Sequence, residues 1–187
     1  MISKVKQVAL LVAGGLALSA CTLGGTNTAA PAKKPPAPDY QVASTTPPPP
    51  ASKGLQAICY NDSDLATVRG RMLQQELVVA ALQCQNPNGT RAFDSLYGSF
   101  VSKFGSELSS NAHALASLSR RKRFNVDVMV TEFANRMAQR APVDKEFCSR
   151  SQRALEWSLD VKVTSLTQAP PPYDLGPEMN IHPCPAK

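Results

Sequence analysis

Apolar side chains recur three and four positions apart through much of the stretch from Leu55 to about Ala169, the spacing of a helix face rather than the alternation of a strand. Asn61-Asp62-Ser63-Asp64 supplies capping side chains. Leu65 to Cys84 then runs without proline and with Gly70 as its weak position, which predicts a first helix. Within it, Leu77-Val78-Val79-Ala80-Ala81-Leu82 is apolar on every face, so this helix belongs at the centre of a bundle. Asn86-Pro87-Asn88-Gly89 predicts the turn that follows.

In the second element Phe93, Leu96, Tyr97, Phe100, Phe104, Leu108, Leu115 and Leu118 form one helical stripe, read as core. Gly98, Gly105 and Ser109-Ser110-Asn111 weaken this helix and leave room for a break near residue 110; its small residues would also permit close helix approach. A third helix is predicted from about Asn125, carrying Val128, Met129, Phe133, Ala134 and Met137, and stopping before Pro142. Pro142 suits the first turn of a fourth helix, with Asp144 and Glu146 near its positive end and Phe147, Leu155 and Leu159 buried. Pro170 to Pro172 end the pattern. The fold class expected is all-α, a four-helix bundle over residues 55–169 with a Pro-rich tail over 170–187; about 115 residues suffice for one core.

The chain before this domain reads differently. Lys4 and Lys6, an apolar run from Val8 to Leu18 and the small residues Ser19 and Ala20 have the layout of a secretory signal peptide over residues 1–20. At ~1.5 Å per residue the run reaches only about 20 Å, short of the ~30 Å hydrocarbon core that a spanning helix must cross. Leu18-Ser19-Ala20-Cys21 resembles the lipobox of bacterial lipoproteins. That resemblance implies a diacylglycerol on the sulfur of Cys21 and cleavage just before it. Two or more acyl chains anchor stably, since each buried methylene contributes ~0.8 kcal/mol. Position 22 is Thr and not the Asp that resembles an inner-membrane retention signal, which implies the outer membrane.

Residues 21–54 combine this cysteine with prolines 31, 35, 36, 38 and 47 to 50 and almost no large apolar side chain. Such a segment buries too little to offset its ordering entropy and reads as a disordered linker. In polyproline II form, at ~3.1 Å per residue, it reaches at most about 100 Å. The spacer reading is preferred to the alternative that Thr46-Pro47-Pro48-Pro49-Pro50 is a ligand for an aromatic groove.

The formal net charge of +6 falls to +4 when Lys4 and Lys6 leave with the leader. The positive residues are dispersed among Asp and Glu apart from Arg120-Arg121-Lys122-Arg123, which reads as a solvated interhelical loop. Nucleic acid is not an expected partner, because no basic face with stacking aromatics is present.

Besides Cys21, the chain has Cys59, Cys84, Cys148 and Cys184, an even number for an oxidising compartment. Cys59 and Cys84 flank a helix of ~20 residues and would lie about 30 Å apart, so they cannot pair. If the first three helices run up, down and up, Cys84 and Cys148 meet at one end, leaving Cys59 and Cys184 for the other. Two disulfides, Cys84 to Cys148 and Cys59 to Cys184, are therefore expected.

Candidate chemistry is sparse. No two of these four cysteines are closer than 25 residues in sequence, so no close zinc-ligand pair occurs, and His182 beside Cys184 reads as a tail histidine next to a disulfide. Asp62 and Asp64 lack the later glycine and glutamate of a calcium loop and read as helix caps. His113 has no Gly-x-Ser-x-Gly elbow to serve. Glu76, Glu107, Glu132 and Glu146 read as solvated helix faces rather than a glycosidase pair. Neither an enzyme nor a cofactor or metal site is expected.

Val68 to Cys84 and Phe147-Cys148 resemble small all-helical secreted domains of unknown function from Gram-negative bacteria, over roughly residues 65–160. That resemblance implies no active site. The expected role is a lipid-anchored envelope lipoprotein whose helical domain binds an envelope protein or peptidoglycan in the periplasm. Two alternatives stay open: a pilotin-like assembly factor for a secretion complex, with a groove for a partner helix, and a cell-wall hydrolase or its accessory, with a polar cleft around His113.

Overall fold

The computed structural model describes Pro38, Tyr40, Ala43–Ser44 and residues 59–185. The signal-peptide segment 1–20, Cys21 and most of the stretch 21–54 lie outside the described residues. Four helices make up the body: α1 (Asp62–Gln83), α2 (Asp94–Lys122), α3 (Val126–Arg140) and α4 (Phe147–Leu159). Four two-residue strands flank them: β1 (Ala43–Ser44), β2 (Cys59–Tyr60), β3 (Tyr173–Asp174) and β4 (His182–Pro183). The architecture is helical, as the apolar spacing implies.

Helix α1 starts where Asn61 caps it, its side chain accepting the Asp64 N–H at 2.8 Å, with Asp62 and Asp64 at the positive end of the helix. Val68, Met72, Leu73, Leu77 and Ala80 are essentially sealed from solvent. The helix packs against α2, α3 and α4, so it is the central element; Leu82, half exposed, is the exception in its apolar run. Gly89, at φ +80, turns the chain after α1, in the left-handed region that glycine enters without strain.

Helix α2 runs unbroken for 29 residues, so the expected weakness near residue 110 does not interrupt it. The reason lies across the interface: Asn111 donates its side-chain N–H to the Thr67 carbonyl on α1 at 2.7 Å, so the polar cluster is held by a neighbouring helix. The close approach is made by Gly70 of α1, where an added Cβ would lie 2.9 Å from the Asn111 amide nitrogen. Gly98 and Gly105 of α2 face open space and pack against nothing.

Asn125 caps α3 by accepting the Val128 N–H. Helix α4 begins at Phe147, later than expected, because residues 141–146 form turns instead of a first helical turn around Pro142. Val143 and Asp144 donate their N–H groups to the Arg140 carbonyl, and Asp144 accepts the Glu146 N–H at 2.9 Å, closing the loop on itself.

The largest departure from the sequence reading follows α4. Residues 170–185 are not a tail beyond the domain. Val163, Leu166, Ala169, Tyr173, Leu175 and Ile181 join the hydrophobic core, with short 3-10 turns at Leu166–Gln168 and Pro177–Met179. Two parallel strand pairs stitch this strap to the segments before α1: β1 to β3 and β2 to β4. Two disulfides join Cys59 to Cys184 and Cys84 to Cys148, the pairs that the helix directions select.

Candidate functional site

The polar side chains converge under the strap, around Tyr173. Its ring is fully buried and stacks on Phe147, and the guanidinium groups of Arg140 and Arg150 lie over it at 5.0 and 5.4 Å from the centroid. Its hydroxyl donates to Asp144 at 2.8 Å and its backbone N–H donates to Glu76 Oε2 at 3.0 Å. One residue thus ties the strap to α1, to α4 and to the loop between α3 and α4. Farther along, Glu178 accepts from Arg136 and Arg140, pinning the strap to α3.

Glu76 is 1% exposed, not on a solvated face, and its Oε1 is buried with no hydrogen-bond partner. Burial pushes its carboxyl well above the usual range; the Tyr173 N–H and Arg140 oppose this, and Asp174 adds to it. Asp144 goes the other way. Burial tends to raise it, but hydrogen bonds from the Tyr173 hydroxyl and the Glu146 N–H, with Arg150 and Arg140 near, together hold it below the ordinary value. Burial and the bond to Asp144 push the Tyr173 phenol well above its usual range. Buried and bonded in this way, Glu76 and Tyr173 fasten the strap to α1 and to the loop before α4.

The other candidates are dispersed. His113 is exposed on α2. Glu107 accepts the Ser165 hydroxyl and the Leu166 N–H, Glu132 pairs with Arg136, and Glu146 accepts from Ser149. His182 is bonded to Asn180 at 3.0 Å. Among the described residues no three His, Cys, Asp or Glu side chains converge on a point that could hold a metal ion.

The basic run is mostly structural. Arg121 pairs with the buried Asp64 at 2.7 Å, Lys122 donates to the Cys59 carbonyl at 2.6 Å and sits over the Tyr60 ring, and Arg123 ends α2 at φ 58.

A second feature joins the strap to the residues before α1. Tyr40 is 3% exposed and donates its hydroxyl to the Pro170 carbonyl at 2.6 Å. Three residues on, β1 pairs in parallel with β3, Ala43 opposite Tyr173 and Ser44 opposite Asp174. Two pieces of the stretch assigned to the linker are thus part of the folded body. Sequence reasoning missed them, although Tyr40 and Val42 stand out there as large apolar residues. Beside this contact, Pro170 borders a cavity of about 280 Å³ also lined by Leu65, Ala66, Arg69, Leu166 and Thr167.

No family model matches the chain, and neither the curated proteins nor the solved structures contain a match to it.

Proposed function

We propose that this chain is a lipid-anchored envelope lipoprotein whose helical domain is a non-enzymatic binding or scaffolding module. The observation that carries the reading is Leu18-Ser19-Ala20-Cys21 at the end of an apolar run that begins just after two lysines. In this reading Cys21 bears the acyl chains, the Pro-rich stretch behind it is a spacer, and the domain works in the periplasm on the outer membrane. Two disulfides in the helical domain suit an oxidising compartment. A body whose charged groups fasten its own strap suits a module that recognises an envelope protein or peptidoglycan without transforming it.

Membrane fractionation of cells producing the native chain and a Cys21→Ser variant tests the anchor. The native chain sediments with outer membranes, and the variant is released into the soluble periplasm. Equal membrane retention of both would overturn the anchor. Crosslinking of the native chain is then expected to capture an envelope component that the variant fails to capture.

A further inference from the structure

We propose that Arg71 and Asp127 form a binding site for a zwitterionic α-amino acid group, the guanidinium taking its carboxylate and the Asp127 carboxylate its ammonium. Both residues line one cavity of about 300 Å³. Arg71 stands on α1 and Asp127 in the first turn of α3, and Leu115 of α2 with Val126 and Val130 of α3 supplies apolar wall.

Each charge is unanswered within the protein. Arg71 is half-buried; its Nη1 donates to the side-chain oxygen of Gln74, a neutral amide, and its Nε is buried with no partner. Burial lowers the pKa of its guanidinium, against the opposing pull of Tyr97, as befits a cation stripped of water with no carboxylate in its place. Among the described residues no carboxylate pairs with Arg71 and no basic side chain pairs with Asp127. Nor do the two pair with each other, although they border the same space. Other half-buried arginines of this fold are answered, Arg136 and Arg140 both by Glu178.

Size and charge together select the occupant. The cavity is at the low end of the ~300–1,000 Å³ range of ligand pockets, so it takes one small group rather than a length of chain. A lone anion would be repelled by Asp127, and a lone cation by Arg71. A group with both charges on one carbon is attracted by both. The fixed fork of guanidinium donors suits a carboxylate, and charge-assisted hydrogen bonds are about twice as strong as neutral ones. Leu115, Val126 and Val130 then accept a short apolar side chain or a methylene stem. Two sources carry such a group: a free amino acid, and the free end of a diamino acid in a peptidoglycan stem peptide. The peptidoglycan source rests on the proposed function; the site itself does not.

The probe is L-valine, titrated calorimetrically into the full chain carrying Cys21→Ser. Valine binds, while N-acetylvaline, which lacks the ammonium, and valinamide, which lacks the carboxylate, bind at least tenfold more weakly. Arg71→Gln and Asp127→Asn each weaken valine binding at least tenfold, and Arg91→Gln, which removes an exposed charge outside the cavity, leaves it unchanged. A soluble stem peptide with a free zwitterionic end separates the sources: binding as tight as that of valine or tighter points to peptidoglycan, and binding of valine alone points to a free solute. Binding of neither, or equal binding of valine and its two blocked forms, would overturn the site. Should Arg71→Gln lose its helical circular dichroism, Asp127→Asn, exposed on α3, carries the test, and unchanged valine affinity in that variant overturns the site. The chain is unlipidated throughout, so a negative result leaves the lipid-anchor reading untouched.

Discussion

Glu76 is the residue at which the chain departs furthest from what an apolar core prefers. A buried carboxyl, with the Tyr173 N–H on one oxygen and the other unpartnered, is held well above its ordinary pKa by burial. In the unfolded chain it titrates near 4.3. Below that value both states hold the proton and the group is neutral to stability. As pH rises toward the folded value the unfolded state releases its proton while the folded state keeps it, so stability falls across that window. Glu76→Gln removes the titration while keeping an acceptor for the Tyr173 N–H. The variant is expected to melt higher than the native chain at pH 8 and to lose the decline in stability above the unfolded carboxyl's titration. Thermal melts across pH 4 to 8 check this; a lower melting point at pH 8 would contradict it. Asp144 has the opposite linkage, since its folded pKa is depressed: its contribution is present above the unfolded value and lost as pH falls through the folded one.

Helices α1 and α2 meet through one glycine, and the glycines of the pair are not equivalent. Gly70→Ala drives a Cβ to within 2.9 Å of the Asn111 amide and breaks its bond to the Thr67 carbonyl, an expected loss of about 1–2 kcal/mol. Gly98→Ala and Gly105→Ala meet no neighbour and raise helix propensity, an expected gain of about 0.5–1 kcal/mol each. Urea unfolding of the three variants separates the two cases by sign. The same contrast explains what could be read from the sequence. Periodicity reports which face of a helix is apolar, so the α2 stripe of Phe100, Phe104, Leu108, Leu115 and Leu118 was legible, as were the capping residues at Asn61 and a helix start near Asn125. It does not report what lies across the interface, so Asn111 read as a break rather than a clasp. The strap was illegible for a related reason. Its core residues Val163, Leu166, Tyr173, Leu175 and Ile181 follow no regular period, and prolines lie among them. Of the polar network beneath it, Asp144 was read as a helix start and Glu76 as a solvated acid, because their shared partner Tyr173 is distant in sequence.

At the scale of the whole molecule, the two disulfides divide the work of closure. Cys84 to Cys148 spans 64 residues and joins the end of α1 to the start of α4; Cys59 to Cys184 spans 125 and closes the strap over the bundle. In the chain-entropy picture each contributes about 4–5 kcal/mol, comparable with the whole stability of a domain this size. A double Cys59→Ser, Cys184→Ser variant is expected to keep its helices but lose amide-exchange protection from about residue 163 onward, with little change in α1 to α3. Uniform loss of protection would show instead that strap and bundle unfold as one unit.

The same stitching imposes an order in time. The segments before α1 have their partners after α4, and a chain is made from its N terminus. Tyr40 and Cys59 therefore wait for the last stretch to be synthesised. During that wait Cys59 is a free thiol, and α1, at 22 residues, keeps it about 30 Å from Cys84, the nearest wrong partner. Glu76 also stays uncovered until Tyr173 arrives. An unfinished copy is thus marked by an open thiol and a bare acid, and only the complete chain hides both.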